Sequence, residues 1–313
     1  MDDITVFLGA GFSRVAGFPL ATEILDVEIA IDTKKRADLQ SRVQYEWSNW
    51  RSDTRTNVEE YLAMLQIEGA KPWYDAQAYV ALVIAAQQST IRWVGDRVRY
   101  IQNGIQRAPT IESYTHIWQW IEERYFLKSV VTTNYDLLAE QGLRIEPRPK
   151  LGLPGFHYGK IGEIMKGGGY PSYSHVRPLQ LNGRVPLHKL HGSVNWAGAA
   201  ALHSKYWDPR PAIKGDCALI APAASKSIPK GFSDIWERAS HDLERSNVWL
   251  VIGYSLPPYD KAVRSLFQDS VSHVNSVLIA NPAPLVVERF SELLPNCDVE
   301  SYPGFPEFLY KKD

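Results

Sequence analysis

Cysteine is scarce in this chain of 313 residues, which holds two, Cys217 and Cys297. Two thiols cannot build a disulfide framework or a four-cysteine zinc site. Both read as core residues, no metal is expected, and a reducing, cytoplasmic setting suits them. Net charge is nearly absent, with 34 Lys and Arg against 35 Asp and Glu. No global basic field advertises direct nucleic-acid binding. Long apolar runs are missing too. The most apolar stretch, Ala76 to Ala86, carries Gln77 and is followed by Gln87 and Gln88; it is too short to span a bilayer, so no membrane partner is expected. Met1-Asp2-Asp3 leads into apolar residues without a basic region or cleavage site, so no signal peptide is expected. Repeats and low-complexity tracts are lacking.

What is present begins at the start of the chain. The apolar, β-rich run Ile4-Thr5-Val6-Phe7-Leu8 ends in Gly9-Ala10-Gly11-Phe12-Ser13. A helix start fits near Ser13 and another at Thr22. Strand, tight turn and helix together aim backbone N–H groups at an anion. Glycine at 9 and 11 lets a backbone approach a pyrophosphate with no Cβ in the way. By that reading a side chain at Gly11 would fill the pyrophosphate's place. Ser13 adds a hydroxyl donor. The spacing G-x-G-x-S falls short of the full dinucleotide fingerprint.

From Thr22 to about Phe126 the pattern is helical. Val58, Tyr61, Leu62 and Leu65 recur at helical spacing, with Glu59 and Glu60 on the other side. Ala76 to Tyr100 reads as one long helix and Thr110 to Phe126 as another, with no strands between. Residues 27–127 are expected to form a helical insertion. Six tryptophans there (47, 50, 73, 93, 118, 120) suit a core or a subunit interface. Short apolar runs then resume at Lys128–Thr132, Leu187–Leu190, Ala218–Ala221, Val248–Ile252 and Val277–Ala280. Helices fit at Gly231–Arg245, Asp260–Val271 and Pro284–Leu294. The alternation predicts an α/β fold over residues 1–313: a Rossmann-like doubly wound parallel sheet with a large helical insertion after the first strand-turn-helix. The connection from Ile145 to Pro186, with Gly167-Gly168-Gly169, is long enough to suggest a lid or regulatory surface.

Ligands of open α/β sheets sit outside the carboxyl ends of the strands. There the sequence places Thr132-Thr133-Asn134-Tyr135-Asp136, His191-Gly192-Ser193, Gly253-Tyr254-Ser255-Leu256-Pro257-Pro258-Tyr259-Asp260 and Asn281-Pro282. Each strand delivers small or polar groups to the edge that carries the glycine turn. Asn134 also fits a helix cap, with Asp136 as a first-turn carboxylate. His188 is read as a buried structural residue, because alternation turns it away from the strand end.

The ordered set GAGFS, TTNYD, LHG and GYSLPPYD resembles the sirtuin family, and most of all its zinc-free prokaryotic branch found in antiphage defence. The resemblance covers the strands but not the insertion. It implies that Gly9, Ala10, Gly11 and Ser13 bind the NAD pyrophosphate. It implies that Asn134 and Asp136 bind the nicotinamide side, with Asn134 and His191 catalytic. It implies that Gly253, Ser255 and Asn281 hold the adenosine half. Protein-deacylating sirtuins carry a four-cysteine zinc module and an Asp-Phe-Arg after Gly-x-Pro; here Pro19 is followed by Leu20-Ala21-Thr22. The resemblance therefore implies an NAD glycohydrolase that depletes NAD, with NAD as substrate and no metal. It also implies a homo-oligomer or a regulatory partner, such as an ATPase, an Argonaute-like protein or a nucleotide-sensing subunit. An NAD-dependent deacylase and a non-enzymatic NAD or ADP-ribose sensor are the alternatives.

The chemistry suits so few groups. The nicotinamide–ribose bond joins a cationic leaving group to an oxocarbenium-forming carbon. Nicotinamide departs neutral, so its departure needs no general acid. An Asn that orients ribose or water and a His near neutral pKa suffice, without a glycosidase carboxylate pair.

Overall fold

The computed structural model describes residues 1–29, 33–68, 71–94, 97–102, 105–107, 113–144, 150, 152–159, 183–196, 219–222, 228 and 232–310. Its first part runs β1 (Asp3–Leu8), α1 (Ala10–Arg14), α2 (Lys34–Trp50), α3 (Val58–Glu68) and α4 (Lys71–Thr90). Next come β2 (Ile91–Val94), β3 (Arg97–Gln102), β4 (Ile105–Arg107), α5 (Ser113–Arg124), β5 (Phe126–Thr132) and α6 (Leu138–Leu143). The last part holds β6 (Phe156–His157), β7 (Val185–Lys189), α7 (Ser233–Glu244), β8 (Val248–Ile252), α8 (Lys261–Asp269), β9 (Ser276–Ala280), α9 (Pro284–Leu293) and β10 (Asp298–Tyr302).

Seven strands form one sheet in the order β10-β9-β8-β1-β5-β7-β6. All its pairings are parallel. β1 lies in the middle because both its edges are filled: Leu8 pairs with Thr132 of β5 and with Ile252 of β8. Both faces are covered as well. Ile4, Val6 and Leu8 on one face and Thr5 and Phe7 on the other are fully buried. Phe7 and Trp249 both pack on Phe267 of α8, with ring centroids 4.8 and 5.3 Å apart. Thr5 bonds to Ser246 just after α7, 2.6 Å away. A sheet buried on two faces tolerates nearly continuous apolar strands, which is how β1, β8 and β9 read. This is the α/β, Rossmann-like doubly wound class that the alternating pattern predicts.

Local chemistry sets the helix ends. Thr33 caps α2 by accepting from Arg36 N, and Asp260 caps α8 by accepting from Val263 N. Asn57 Oδ1 accepts from Glu59 N at 2.9 Å and Glu60 N at 3.4 Å, which starts α3.

Several expectations need correction. Thr22 does not begin an α-helix: Ala21–Glu23 is a single 3-10 turn, and the next helix waits for the Thr33 cap. The segment between β1 and β5 is not wholly helical. The run assigned to one helix through Tyr100 breaks at Thr90, and β2, β3 and β4 form a small antiparallel sheet. Val94 pairs with Arg97, and Gln102 with Ile105. Two residues therefore separate each pair, Gly95-Asp96 and Asn103-Gly104, dipeptides that favour hairpin turns. Ala218–Ala221 gives no sheet strand among its described residues; Leu219 makes an isolated bridge to Gly192. β6 and β10 went unread. β10 is a polar, largely exposed edge strand, so no apolar run marks it. The expectations for Gly167–Gly169 and Cys217 lie outside the described residues.

Candidate functional site

One cavity of about 820 Å³ opens at the carboxyl edge of the sheet. It is lined by residues that follow six of the seven strands: Gly11 after β1, Asn134 after β5, His191 after β7, Ser255 after β8, Asn281 after β9 and Pro303 after β10. The topology explains the convergence. The chain leaves β1 toward β5 on one side and returns through β8 on the other, so a crevice forms where the winding direction switches. The volume lies within the ~300–1,000 Å³ usual for small-molecule sites.

The glycine turn is built differently from the pattern expected of it. A Cβ on Gly9 would stand 2.6 Å from Tyr254 Cα, and one on Gly11 2.7 Å from Gly253 Cα. Gly9 N donates to Ile252 O at 2.9 Å and Gly11 N to Gly253 O at 2.8 Å. Glycine is thus needed because the turns after β1 and β8 cross backbone to backbone. Gly253 takes φ +63°, and a Cβ there would lie 2.3 Å from Phe12 N. Ala10, Gly11 and Ser13 line the cavity; Gly9 packs behind it.

Asn134, Asp136 and Ser13 form one hydrogen-bonded unit. Ser13 Oγ donates to Asp136 Oδ2 at 2.6 Å, and Asn134 Nδ2 donates to Ser13 Oγ at 3.0 Å and Gly9 O at 2.9 Å. Asp136 Oδ1 accepts from Leu138 N at 3.0 Å. Asn134 does not cap a helix, since α6 starts at Leu138 after Leu137. Its amide nitrogen is anchored, which turns its carbonyl oxygen into the acceptor left for a ligand. His191 is buried, and its ring centroid lies 6.2 Å from those of Tyr135 and Trp236. Those rings hold the imidazole at the wall.

Behind this end sits a buried pair. Lys189 Nζ is 2.7 Å from Glu140 Oε1 and also donates to the Asp136 carbonyl. Tyr158 Oη donates to the same Glu140 oxygen at 2.7 Å. Burial pushes the Glu140 carboxyl upward against the pull of Lys189 and Tyr158. The network ties β7 to the Asn134 loop. His188 faces the other way, as alternation requires: its Nε2 is 2.7 Å from Asp242 Oδ2 of α7.

In the turn after β8, Ser255 is exposed, and its carbonyl accepts from Arg289 at 2.9 Å. Asn281 Oδ1 accepts from Ala283 N at 3.0 Å and Nδ2 reaches Tyr254 O at 3.4 Å. Four lining groups here carried no role in the sequence reading: Glu59, Tyr254, Tyr259 and Asp260. Glu59 was placed with Glu60 on the side of the helix opposite its apolar positions, yet it is 9% exposed while Glu60 is exposed. Tyr254 Oη donates to Asp260 Oδ2 at 2.9 Å. Burial, then the charge of Glu59, pushes the Tyr259 phenol up to about 12. Burial and then Asp260 raise Tyr254 well above its usual range. Both phenols stay protonated donors. An apolar run with a buried acid in its first turn was the available signal, but the helix dipole explains such acids equally well.

Among the described residues, no group of three or more His, Cys, Asp or Glu could hold a metal ion, and no helix is long and apolar enough to cross a membrane. Asn134 and His191 reach the cavity from the loops after β5 and β7, and Ser255 and Asn281 from the turns after β8 and β9.

No protein-family model and no curated protein matches the chain. Among solved structures it is similar to a Sir2 homologue in complex with NAD, at 15% identity and a TM-score of 0.44, covering 96% of this chain and 83% of that one. It is also similar to a Sir2–p53 peptide–NAD+ complex, at 13% identity and a TM-score of 0.43, covering 98% and 90%. A third is a mutant Sir2 homologue with ADP-ribose, at 15% identity and a TM-score of 0.40, covering 96% and 85%. Likenesses of this depth decide neither activity nor partner.

Proposed function

We propose that this chain is an NAD glycohydrolase, converting NAD and water to ADP-ribose and nicotinamide. The observation that carries the reading is the shared wall of one cavity: Asn134 and His191 after β5 and β7, Ser255 and Asn281 after β8 and β9. The bond between nicotinamide and ribose breaks, and its electron pair leaves on the ring nitrogen, which becomes neutral. Water adds to the sugar carbon, and its proton passes to His191 and on to solvent. Asn134, anchored through its amide nitrogen, orients ribose or water with its carbonyl oxygen. Asp136 is held by Ser13 and supports that loop. The glycine turn, Ala10 and Ser13 flank the pyrophosphate, and Gly253, Ser255 and Asn281 the adenosine.

The motif resemblance extends this to an NAD-depleting effector of antiphage defence in the cytoplasm. Such an activity must be off by default, which calls for a homo-oligomer or a regulatory partner protein. The insertion, residues 27–127 of one catalytic domain, is the part we assign to that contact.

The test is incubation with NAD, read for free nicotinamide with and without an acetylated peptide. Release without peptide is expected. Release only with peptide would make the chain a deacylase, and binding without release a sensor. His191→Ala is expected to lower release ~10²–10⁴-fold, the usual worth of a positioned acid–base group. A folded His191→Ala protein that cleaves at the parent rate would remove the assignment.

A further inference from the structure

We propose that Gln87 and Gln88, adjacent on the inserted helix α4, are positioning residues for the reaction centre. They hold the two chain segments that carry Ser13 and Asn134, so the insertion sets the geometry at which NAD is cleaved. The inference rests on the hydrolase reading above and concerns how that same site is held and regulated.

Through its middle, from Tyr79 to Ala85, α4 is apolar and buried. Two carboxamides follow shortly after, and Gln88 is only 2% exposed. A buried amide costs free energy unless its polar atoms are hydrogen-bonded. Gln88 Oε1 accepts from Leu137 N at 2.8 Å, and Nε2 reaches Gln141 Oε1 of α6 at 3.5 Å. A backbone N–H only donates, which fixes the end of the amide that faces it. Leu137 directly follows Asp136, in the loop between β5 and α6 that presents Asn134. Gln87 Nε2 donates to Ala16 O at 2.8 Å, in the turn after α1, the helix of Ser13. Successive side chains on a helix point about 100° apart, so neighbours in sequence reach different segments.

Those two segments are the ones joined by Ser13, Asn134 and Asp136. Ile84, one turn before Gln88 on the same face of α4, lines the cavity itself. Neither glutamine does, so both act through residues that do. Thr90 Oγ1 donates to the Gln87 carbonyl at 2.7 Å, which closes the last turn of α4 before β2. Towards its other end α4 is tied to α2: Arg42 pairs with Asp75 at 3.0 Å, and Gln44 Nε2 lies 3.3 Å from Tyr79 Oη. A partner that shifts α2 and α4 together moves both glutamines, and with them both segments of the centre, without entering the cavity.

The experiment measures nicotinamide release from NAD by the full chain, as separate kcat and KM, together with amide hydrogen exchange. Gln88→Met keeps the volume and removes the acceptor. Its kcat is expected to fall ~10–10²-fold, the cost of misplacing reacting groups by about an ångström, with KM changed less than ~3-fold. Gln88→Glu returns an acceptor oxygen in either protonation state and is expected to recover most of the loss. Gln87→Met is expected to lower kcat ~3–10-fold. Gln40→Met removes a like bond elsewhere in the insertion, to Ile29 N at 3.3 Å, and is expected to leave kcat as it was. The amides of Asn134 and Leu138 bond to Thr132 Oγ1 and Asp136 Oδ1, not to glutamine, and are expected to exchange ~10-fold faster in Gln88→Met. Parent kcat in folded Gln88→Met overturns the proposal. So does a loss that Gln88→Glu fails to recover, and so does unchanged exchange at those two amides. Should Gln88→Met not fold, the half-buried Gln87→Met carries the test, and parent kcat there overturns it. A parent that releases no nicotinamide sinks the hydrolase reading, and exchange at Asn134 and Leu138 then decides this inference alone.

Discussion

Ser13 is the residue on which the proposed reaction centre is assembled. Its hydroxyl donates to Asp136 and accepts from the Asn134 amide nitrogen, so one oxygen positions two other side chains. Ser13→Ala leaves the buried Asp136 carboxylate one donor short, and a loss of ~1–3 kcal/mol in urea unfolding is expected. Nicotinamide release should fall too, because Asn134 loses one of its two anchors. Asp242 gives a second, pH-dependent case. Burial pushes its carboxyl up, but the hydrogen bond and charge of His188, then those of His241, hold it below the usual carboxylate range. A depressed folded-state pKa gives stability that is full above the unfolded value and is lost as pH falls through the folded one. Asp242→Asn should therefore be less stable than the parent at neutral pH by ~1.5–3 kcal/mol. The gap should narrow in unfolding curves as pH falls below the reference Asp value and on through the lower folded one. At this scale, motif order told which residues meet: Ala10, Gly11, Ser13, Asn134, Asp136, His191, Gly253, Ser255 and Asn281 line one cavity. It could not show what they bond to one another, because such pairs are more than a hundred positions apart in the chain. Glu59 was hidden for a related reason: helical spacing gives an angle around α3, not what lies opposite.

At the scale of elements, the decisive contact is the crossing of two turns. Gly253→Ala puts a methyl 2.3 Å from Phe12 N at a residue with φ +63°. A stability loss above ~3 kcal/mol is expected in thermal or urea melts, since the obstacle is backbone and cannot rotate away. Gly11→Val should fail in the same way, with its Cβ directed at Gly253 Cα. A well-folded Gly11→Val protein that merely cannot bind NAD would contradict this crossing and favour the simpler picture of a blocked pyrophosphate. The strands β1, β8 and β9 were legible because each is a nearly continuous apolar run, and β8 matches its sequence bounds. The small antiparallel sheet was missed because its residues mix arginine with aromatics, and helical periodicity was carried past the two hairpin dipeptides. β10, polar and at the edge, left no pattern to read.

At the scale of the whole molecule, most tryptophans among the described residues are spent inside the chain. Trp47, Trp73 and Trp118 are buried, and Trp47, Trp50 and Tyr61 stack on one another at 5.3–5.7 Å. Tryptophan number alone thus gives no reason to expect a subunit interface in the insertion. The scarcity of thiols bears on activity instead: nicotinamide release is expected to survive a zinc chelator at full rate. Loss restored by zinc would refute a metal-independent site.

The central place of β1 has a consequence for how the chain is made. Residues 3–8 leave the ribosome long before their partners at 126–132 and 248–252. Until β8 is synthesised, a strand destined for the middle of the sheet has an unsatisfied edge. Such contacts of high sequence separation slow folding and leave sticky intermediates for chaperones to hold. The turns bearing Ser255 and Asn281 come later still, so a nascent chain has only half of its cavity. An enzyme that consumes NAD would on this plan be harmless during its own translation, and would arm itself only once β8 and β9 have docked.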